Sequence, residues 1–228
     1  MKDATQSVYS DRIYENDGLP ELIALVDKRH KRILDAGCGG GANMSRLAAR
    51  GHAAIGVTLS RREASLCLER GLACIIGDIN RGLPFASGSF DAILFSHVLE
   101  HVPFPDEVLR QVLHLLDDDG AIYVALPNVL QFRQRYEFLR GRFRYCENGF
   151  MDRTHLRFFD FCSARHLLEA AGLKVVVHYA IGKVPQRLLR KLFPRFAEKI
   201  DAVGTRLWPG LFAFHILLVA VRAGVDQS

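Results

Sequence analysis

The 228-residue chain is most informative at first through what it lacks. Its five cysteines (Cys38, Cys67, Cys74, Cys146 and Cys162) are odd in number and contain no C-x-x-C pair, which argues against a disulfide framework or a thiolate zinc site. They are expected to be reduced and mainly to pack, and Cys38, with no obvious base beside it, reads as a packing thiol rather than a nucleophile. The first 18 residues are polar and mixed in charge, without the apolar stretch of a signal peptide, so a cytoplasmic location is expected. No uncharged run is long enough to span a bilayer: Leu207 to Val221 gives 15 residues, broken by Pro209, Gly210 and His215, against the ~20 a spanning helix needs. That run reads better as a buried final strand. Repeats and low-complexity linkers are also missing. With 49% hydrophobic and 24% charged residues, the expectation is one elaborated domain over residues 1–228.

Positive charge is present but unevenly placed. Residues 131–157 carry a net +4 and residues 183–206 a net +5; against a chain total of +5, the remainder is net −4. Two basic segments, read as insertions at about 129–159 and 183–206, therefore sit on an acidic body. No interleaved aromatic platform or nucleic-acid module accompanies them, so nucleic acid is not the expected partner.

Strand-like runs alternate with helical patterns in the manner of parallel βαβ units. K-R-I-L-D-A-G-C leads to a helix from Ala42 to Arg50, A-A-I-G-V-T-L-S to one from Arg61 to Arg70, and L-A-C-I-I-G-D to F-D-A-I-L-F-S. Pro105, Asp106 and Glu107 start a further helix that D-D-D-G is predicted to stop. A-I-Y-V-A-L-P-N is the fifth strand. A helix from about Ser163 to Ala171 precedes the strand L-K-V-V-V-H-Y-A-I-G, and F-A-F-H-I-L-L-V-A-V-R closes the pattern. Between them, Pro185 to Ile200 places Leu188, Leu192, Phe196 and Ile200 on one helical face, and Pro194 should kink or divide that helix.

After the first strand, I-L-D-A-G-C-G-G-G-A-N-M-S puts four glycines in five positions. Gly37, Gly39 and Ala42 fit the G-x-G-x-x-G/A turn, in which missing side chains let backbone amides approach a nucleotide at a helix N-terminus. Nicotinamide, flavin and S-adenosylmethionine (SAM) proteins all use such turns.

The surrounding residues narrow the choice. Asp35-x-Gly37-x-Gly39, the pair Gly77 and Asp78, the run F-D-A-I-L-F-S-H-V-L-E-H-V and the paired final strands resemble the class I SAM-dependent methyltransferases over about residues 20–225. The resemblance implies a single Rossmann-like α/β domain: a seven-stranded, mostly parallel sheet with an antiparallel last strand and helices on both faces. It implies a glycine turn against the amino-acid end of SAM, with Asp35 supporting the loop or the methionine amino group. Asp78 would receive the adenine amino group, Ile79 would lie beside the ring, and the backbone around Ser96 would face the methionyl part. At the end of the second strand, Thr58 and Leu59 stand where such a fold most often carries its ribose acid. A hydroxyl lacks the charge-assisted strength of a carboxylate, so this change weakens the ribose contact, and it also counts against NAD. The cyclopropane fatty acid synthases, another branch, share G-V-T-L-S.

A second constellation lies downstream. S-H-V-L-E-H-V spaces His97, Glu100 and His101 at i, i+3 and i+4, one face of a predicted short helix. His155 follows in D-R-T-H-L-R-F-F, a tract that resembles stretches of many bacterial SAM methyltransferases. More distantly it is similar to tracts of ubiquinone O-methyltransferases and small-RNA 2′-O-methyltransferases. Those two relatives hold a divalent metal with a Glu-x-x-Glu-His helix and a later His, and here His97 occupies the first Glu position. The resemblance thus implies His97, Glu100, His101 and His155 as a nitrogen-rich set suited to zinc, iron or manganese. Without metal, His101 or His155 is the candidate general base. Arg153 and Arg157 are candidates to hold an anionic acceptor group.

The expected function is methyl transfer from SAM to a hydroxyl of a small or lipid-linked molecule. The alternative is a SAM-binding regulatory subunit like the MetW-like proteins, which the chain also resembles. The segment Pro185 to Ile200, with its apolar stripe and basic flanks, is expected either to close over the pocket as a lid or to lie on an anionic membrane, peripheral on the inner face.

Overall fold

The computed structural model describes residues 17–224. Seven strands form one sheet in the order β3-β2-β1-β4-β5-β7-β6. They are β1 (Arg32–Ala36), β2 (Ala53–Thr58), β3 (Ala73–Ile76), β4 (Phe90–Ser96), β5 (Leu116–Pro127), β6 (Leu173–Gly182) and β7 (Ala213–Arg222). The first five are parallel, while β7 runs antiparallel to both β5 and β6.

Why the strands read as continuous apolar runs is visible in the packing. Ile93 and Phe95 point to one face and Ala92 and Leu94 to the other, and both faces are covered. A half-solvated sheet would alternate apolar with polar instead. One face buries Val108, Leu109 and Val112 of α4 (Pro105–Leu113) and Leu168 of α6 (Phe161–Ala170). The other takes Leu22 and Ile23 of α1 (Pro20–Leu25) and Leu47 of α2 (Ala42–Ala48). Helix α3 (Arg61–Glu69) is capped by Ser60, whose side chain accepts from Glu63 N, and α6 begins with a capping box of Asp160 and Ser163.

One local expectation changes and another is met. D-D-D-G does not stop α4: the helix ends at Leu113 and Leu116–Gly120 already belong to β5, whose register with β4 shifts between Phe90 and Ala92. The tail helix is divided at Pro194 into α7 (Arg187–Leu192) and α8 (Pro194–Leu207), with proline at the first position of the second helix, where its missing N–H costs nothing. The basic segment before α6 contains its own helix, α5 (Phe132–Leu139), and a single turn, α9 (Pro209–Phe212), precedes β7.

Asp201 organises the insertion around α7 and α8. It is nearly buried, accepts from Val184 N at 2.8 Å and Gln186 Nε2 at 3.0 Å, and pairs with both ends of the Arg190 guanidinium. Burial pushes its carboxyl pKa up, but Arg190 and these donors outweigh that and hold it below its ordinary value. Arg190 is therefore a structural residue, not part of a solvated basic face.

Candidate active site

The C-terminal ends of β1, β2 and β4 border a cavity of about 1200 Å³. Its first wall comes from βα connections. Gly37 and Gly39 take left-handed backbone, φ 85° and 54°. A Cβ on Gly37 would lie 2.4 Å from Val98 Cγ2, so the bare turn also lets the loop after β4 close upon it. Thr58, Leu59, Asp78, Ile79 and Ser96 line the same cavity. Asp35 does not. It lies beneath the turn, fully buried, with both carboxylate oxygens without a hydrogen-bond partner among the described residues, and burial together with Cys74 pushes its pKa up to about 7.

Beside Thr58 the fold supplies the carboxylate whose absence was noted in the sequence. Thr58 Oγ1 accepts from Ser60 N and donates to Glu63 Oε2, and Glu63 is a buried residue of the cavity wall. In an ordinary capping box the glutamate at this position reaches back to the cap backbone. Here Thr58 takes that amide and turns Glu63 toward the cavity instead. The S-x-x-E spacing of Ser60 and Glu63 was the available signal.

The second wall comes from the 97–103 loop and the tract around His155. His97, Glu100 and His101 do not share a helix face. Only Leu99–His101 forms a helical turn, of the tighter 3-10 kind, and His97 precedes it with φ 57°, a left-handed conformation that a non-glycine residue adopts at a cost. The tract docks on this loop through its backbone: Leu156 N and Arg157 N both donate to Glu100 O, at 2.8 and 3.0 Å. Arg157 spends its guanidinium on Pro103 O, and Arg153 faces Glu147 at 3.4 Å on the exposed surface. Neither arginine lines the cavity, which corrects their reading as acceptor contacts.

The hydrogen bonds also point to which histidine nitrogens are basic. His101 Nδ1 lies 3.2 Å from Thr154 O, and His155 Nδ1 3.2 Å from Phe150 O. A carbonyl only accepts, so both Nδ1 atoms carry the proton and Nε2 is the basic nitrogen. Thr154 extends this chain: its hydroxyl, 3.1 Å from His101 Nδ1, donates to Asp152 at 2.7 Å. His97 Nδ1 likewise donates to Glu100 Oε1 at 3.2 Å, while His97 Nε2 and Glu100 Oε2 are buried without partners among the described residues. Burial raises the Glu100 pKa, but the His97 hydrogen bond and the charges of His97 and His101 overcome this and keep it below its ordinary value. For His155, burial lowers the pKa.

Ligand atoms of Glu100, His101 and His155 all lie within 4.8 Å of one another, a set that could hold an ion. His97 stands outside that set and faces His215 of β7, their ring centroids 4.9 Å apart. Burial, then His97, presses His215 down to about 4. The only sequence signal for His215 was a histidine in an otherwise apolar strand.

Comparison with known proteins decides what this two-walled cavity belongs to. A family model described as a methyltransferase domain matches residues 9–178, well over half of the chain. The chain belongs to the class I SAM-dependent methyltransferase family. Among curated relatives, the ubiquinone biosynthesis O-methyltransferase of Chromobacterium violaceum is 32% identical over 107 residues, 43% of this chain and 45% of that protein. The Nitrosococcus oceani enzyme of the same name is 36% identical over 104 residues, 43% and 44%. The chain thus spans less than half the length of these two relatives in the match. Among solved structures, a SAM-dependent methyltransferase of Mesorhizobium loti superposes with TM-score 0.62 at 18% identity, covering 91% of this chain and 98% of that one. One from Archaeoglobus fulgidus gives 0.61 at 19%, covering 85% and 86%. The [4+2]-cyclase SpnF also gives 0.61 at 19%, covering 94% and 86%, so this fold alone does not fix a reaction.

SAM is the cofactor of this family, and the first wall fits it. Backbone amides of the glycine turn, the Glu63 carboxylate and Asp78 are the polar groups that a methionyl chain, a ribose diol and an adenine amino group require. No helix among the described residues is long and apolar enough to cross a membrane.

Proposed function

We propose that the chain methylates a hydroxyl of a lipid-linked acceptor, with His101 and His155 on the acceptor side. The observation that carries this reading is the contact of each ring's Nδ1 with a backbone carbonyl, Thr154 O for His101 and Phe150 O for His155. Both rings line the cavity that the glycine turn also borders, and a neutral imidazole whose Nδ1 faces a carbonyl has Nε2 as the nitrogen that can take the proton of an attacking hydroxyl. SAM supplies a methyl already activated by its sulfonium. The chain's own residues have to hold the acceptor in line, exclude water and accept one proton, and positioning is the larger share, ~7 to 11 kcal/mol of a barrier in favourable cases.

On the cofactor side, Glu63 is assigned to the ribose hydroxyls with Thr58 orienting it. Asp78 Oδ1 accepts from Asn80 N at 3.0 Å and Asn80 Nδ2 at 2.8 Å, and Oδ2 faces the exposed Arg81 Nε at 3.4 Å; Oδ2, the less heavily engaged oxygen, is assigned to the adenine amino group. The names of the curated relatives support a hydroxyl acceptor. A second reading rests on the cluster of Glu100, His101 and His155: an ion held there would stabilise the acceptor alkoxide in place of a base.

The lipid-linked part rests on the insertion. Leu188 (71% exposed), Leu192 (60%) and Phe193 (60%) are displayed among Arg187, Lys191 and Arg195, an apolar surface with a basic border. Helix α5 of the other basic segment packs on α9, the turn that follows α8: Arg135 donates to Gly210 O at 3.3 Å, and Phe132 lies against Phe212. The lid alternative is dropped, because no residue of α7 or α8 lines the cavity and the covering residues come from 148–156 instead. Flotation with anionic and neutral liposomes tests the surface. Binding to anionic liposomes alone, weakened by Arg187→Glu, Lys191→Glu and Arg195→Glu together, is expected; indifference to anionic liposomes at low salt returns the acceptor to a soluble hydroxyl compound. Arg190 is left out of that variant because it holds Asp201. S-adenosylhomocysteine (SAH) binding without turnover on any phenol or alcohol, together with a co-purifying protein, would favour the regulatory-subunit alternative.

A further inference from the structure

Beneath the glycine turn, on the far side from the histidines, three thiols from three elements converge. Cys38 belongs to the turn, Cys67 to the last turn of α3 and Cys74 to β3. The sulfurs of Cys38 and Cys74 are 3.6 Å apart, and all three lie within 4.8 Å of one another. Cys38 and Cys67 are buried, and Cys74 is half-buried and gives the approach.

The reacting surface of this cluster is not the active site, and neither the fold nor methyl transfer needs three thiols there. The room for them comes from a bare strand position. A Cβ on Gly56 of β2 would lie 2.5 Å from Cys38 Sγ and 2.6 Å from Met44 Sδ, so a thioether flanks the same space. Asp35 adds a buried carboxyl whose two oxygens have no partner among the described residues, close enough for its charge to act on both Cys38 and Cys67.

We infer that Cys38, Cys67 and Cys74 form a site for one soft, thiophilic d10 cation, with Met44 as an adjacent soft donor. The geometry matches: metal–sulfur bonds of about 2.3 Å put the corners of a trigonal thiolate site about 4 Å apart, a little more than the 3.6 Å between Cys38 and Cys74 and inside the 4.8 Å that bounds all three sulfurs. The donor set matches too, since thiolate and thioether without imidazole select Cu(I) or Zn(II) over harder ions. On binding, each coordinated thiol forms one metal–sulfur bond and gives its proton to solvent; no electron changes hands. The spacing of these cysteines matches no metal motif, which is why the sequence argued against such a site.

The experiment is competition for Cu(I) and, in a parallel arm, Zn(II), between the fully reduced protein and a chromophoric chelator under anaerobic conditions. One ion per chain, in either arm, is expected to move to the protein with release of protons. Cys67→Ala with Cys74→Ala should weaken that binding more than about 100-fold, beyond the loss typical of outer-sphere changes, while Cys146→Ser with Cys162→Ser should leave it unchanged. As a readout that needs no core variant, the bound ion should protect Cys74 of the wild type from alkylation while exposed Cys146 and Cys162 react. Failure of both ions to compete, or binding that disappears with Cys146 and Cys162 instead, would overturn the inference.

Discussion

The two walls of the cavity are made by different physical means. On the cofactor side, Gly37, Thr58, Asp78 and Ser96 sit at or just past strand ends, so sheet register delivers them. On the acceptor side, His101 and His155 are held by loop-to-loop hydrogen bonds to Thr154, Phe150 and Glu100, with His97 strained into left-handed backbone. A wall built on register tolerates change in side chains that do not touch the ligand. A wall built from loops depends on every bond that fixes it, and the active-site account stands or falls on the two being separable.

The largest expected effect falls on the acceptor side. His101→Ala and His155→Ala should each lower turnover by about 10²- to 10⁴-fold, the usual range for losing a general base, measured in single-turnover assays at saturating SAM. If an ion replaces the base, exhaustive chelation should remove activity and one divalent ion should restore it. Full activity in metal-free protein would leave the acid–base version alone.

Next in size is the cofactor wall. Glu63→Ala should weaken SAH binding by about 1 to 3 kcal/mol, because it leaves the ribose donors unpaired, and Thr58→Val should cost less by loosening Glu63 rather than removing it. Equal losses for the two would place Thr58, not Glu63, on the ribose.

A smaller effect separates the walls by pH. His155 must be neutral to accept a proton, and burial holds its pKa below the ordinary 6.5. Thus kcat/KM should be flat through neutrality and fall on the acid side, with a midpoint below that value; a midpoint above it would exclude His155. His215 should show in stability instead. It stays neutral in the folded chain down to about 4 but titrates near 6.5 when unfolded, so stability should decline as pH falls through that window. Chemical denaturation at pH 7 and pH 5 checks this, and His215→Phe should flatten the dependence.

Legibility in the sequence followed the same division. F-D-A-I-L-F-S and L-K-V-V-V-H-Y-A-I-G coincide with β4 and β6, because apolar runs between turn residues leave a buried strand little choice of limits. Pro194 announced its own break. Glu63 was hidden because its direction depends on Thr58 taking the cap amide, a competition between hydrogen bonds that spacing does not display. His215 was hidden because only antiparallel pairing of β7 with β5 brings it beside His97. The helix expected for His97 to His101 failed where the chain turns left-handed, a conformation for which histidine carries no sequence mark.

Calorimetric titration of SAH into the wild type, Glu63→Ala and His155→Ala, side by side, tests the separation most directly. The dissociation constant for His155→Ala should equal that of the wild type, and that for Glu63→Ala should rise about 5- to 160-fold. A His155→Ala protein that loses as much SAH affinity as Glu63→Ala, or a Glu63→Ala protein that loses none, would contradict it.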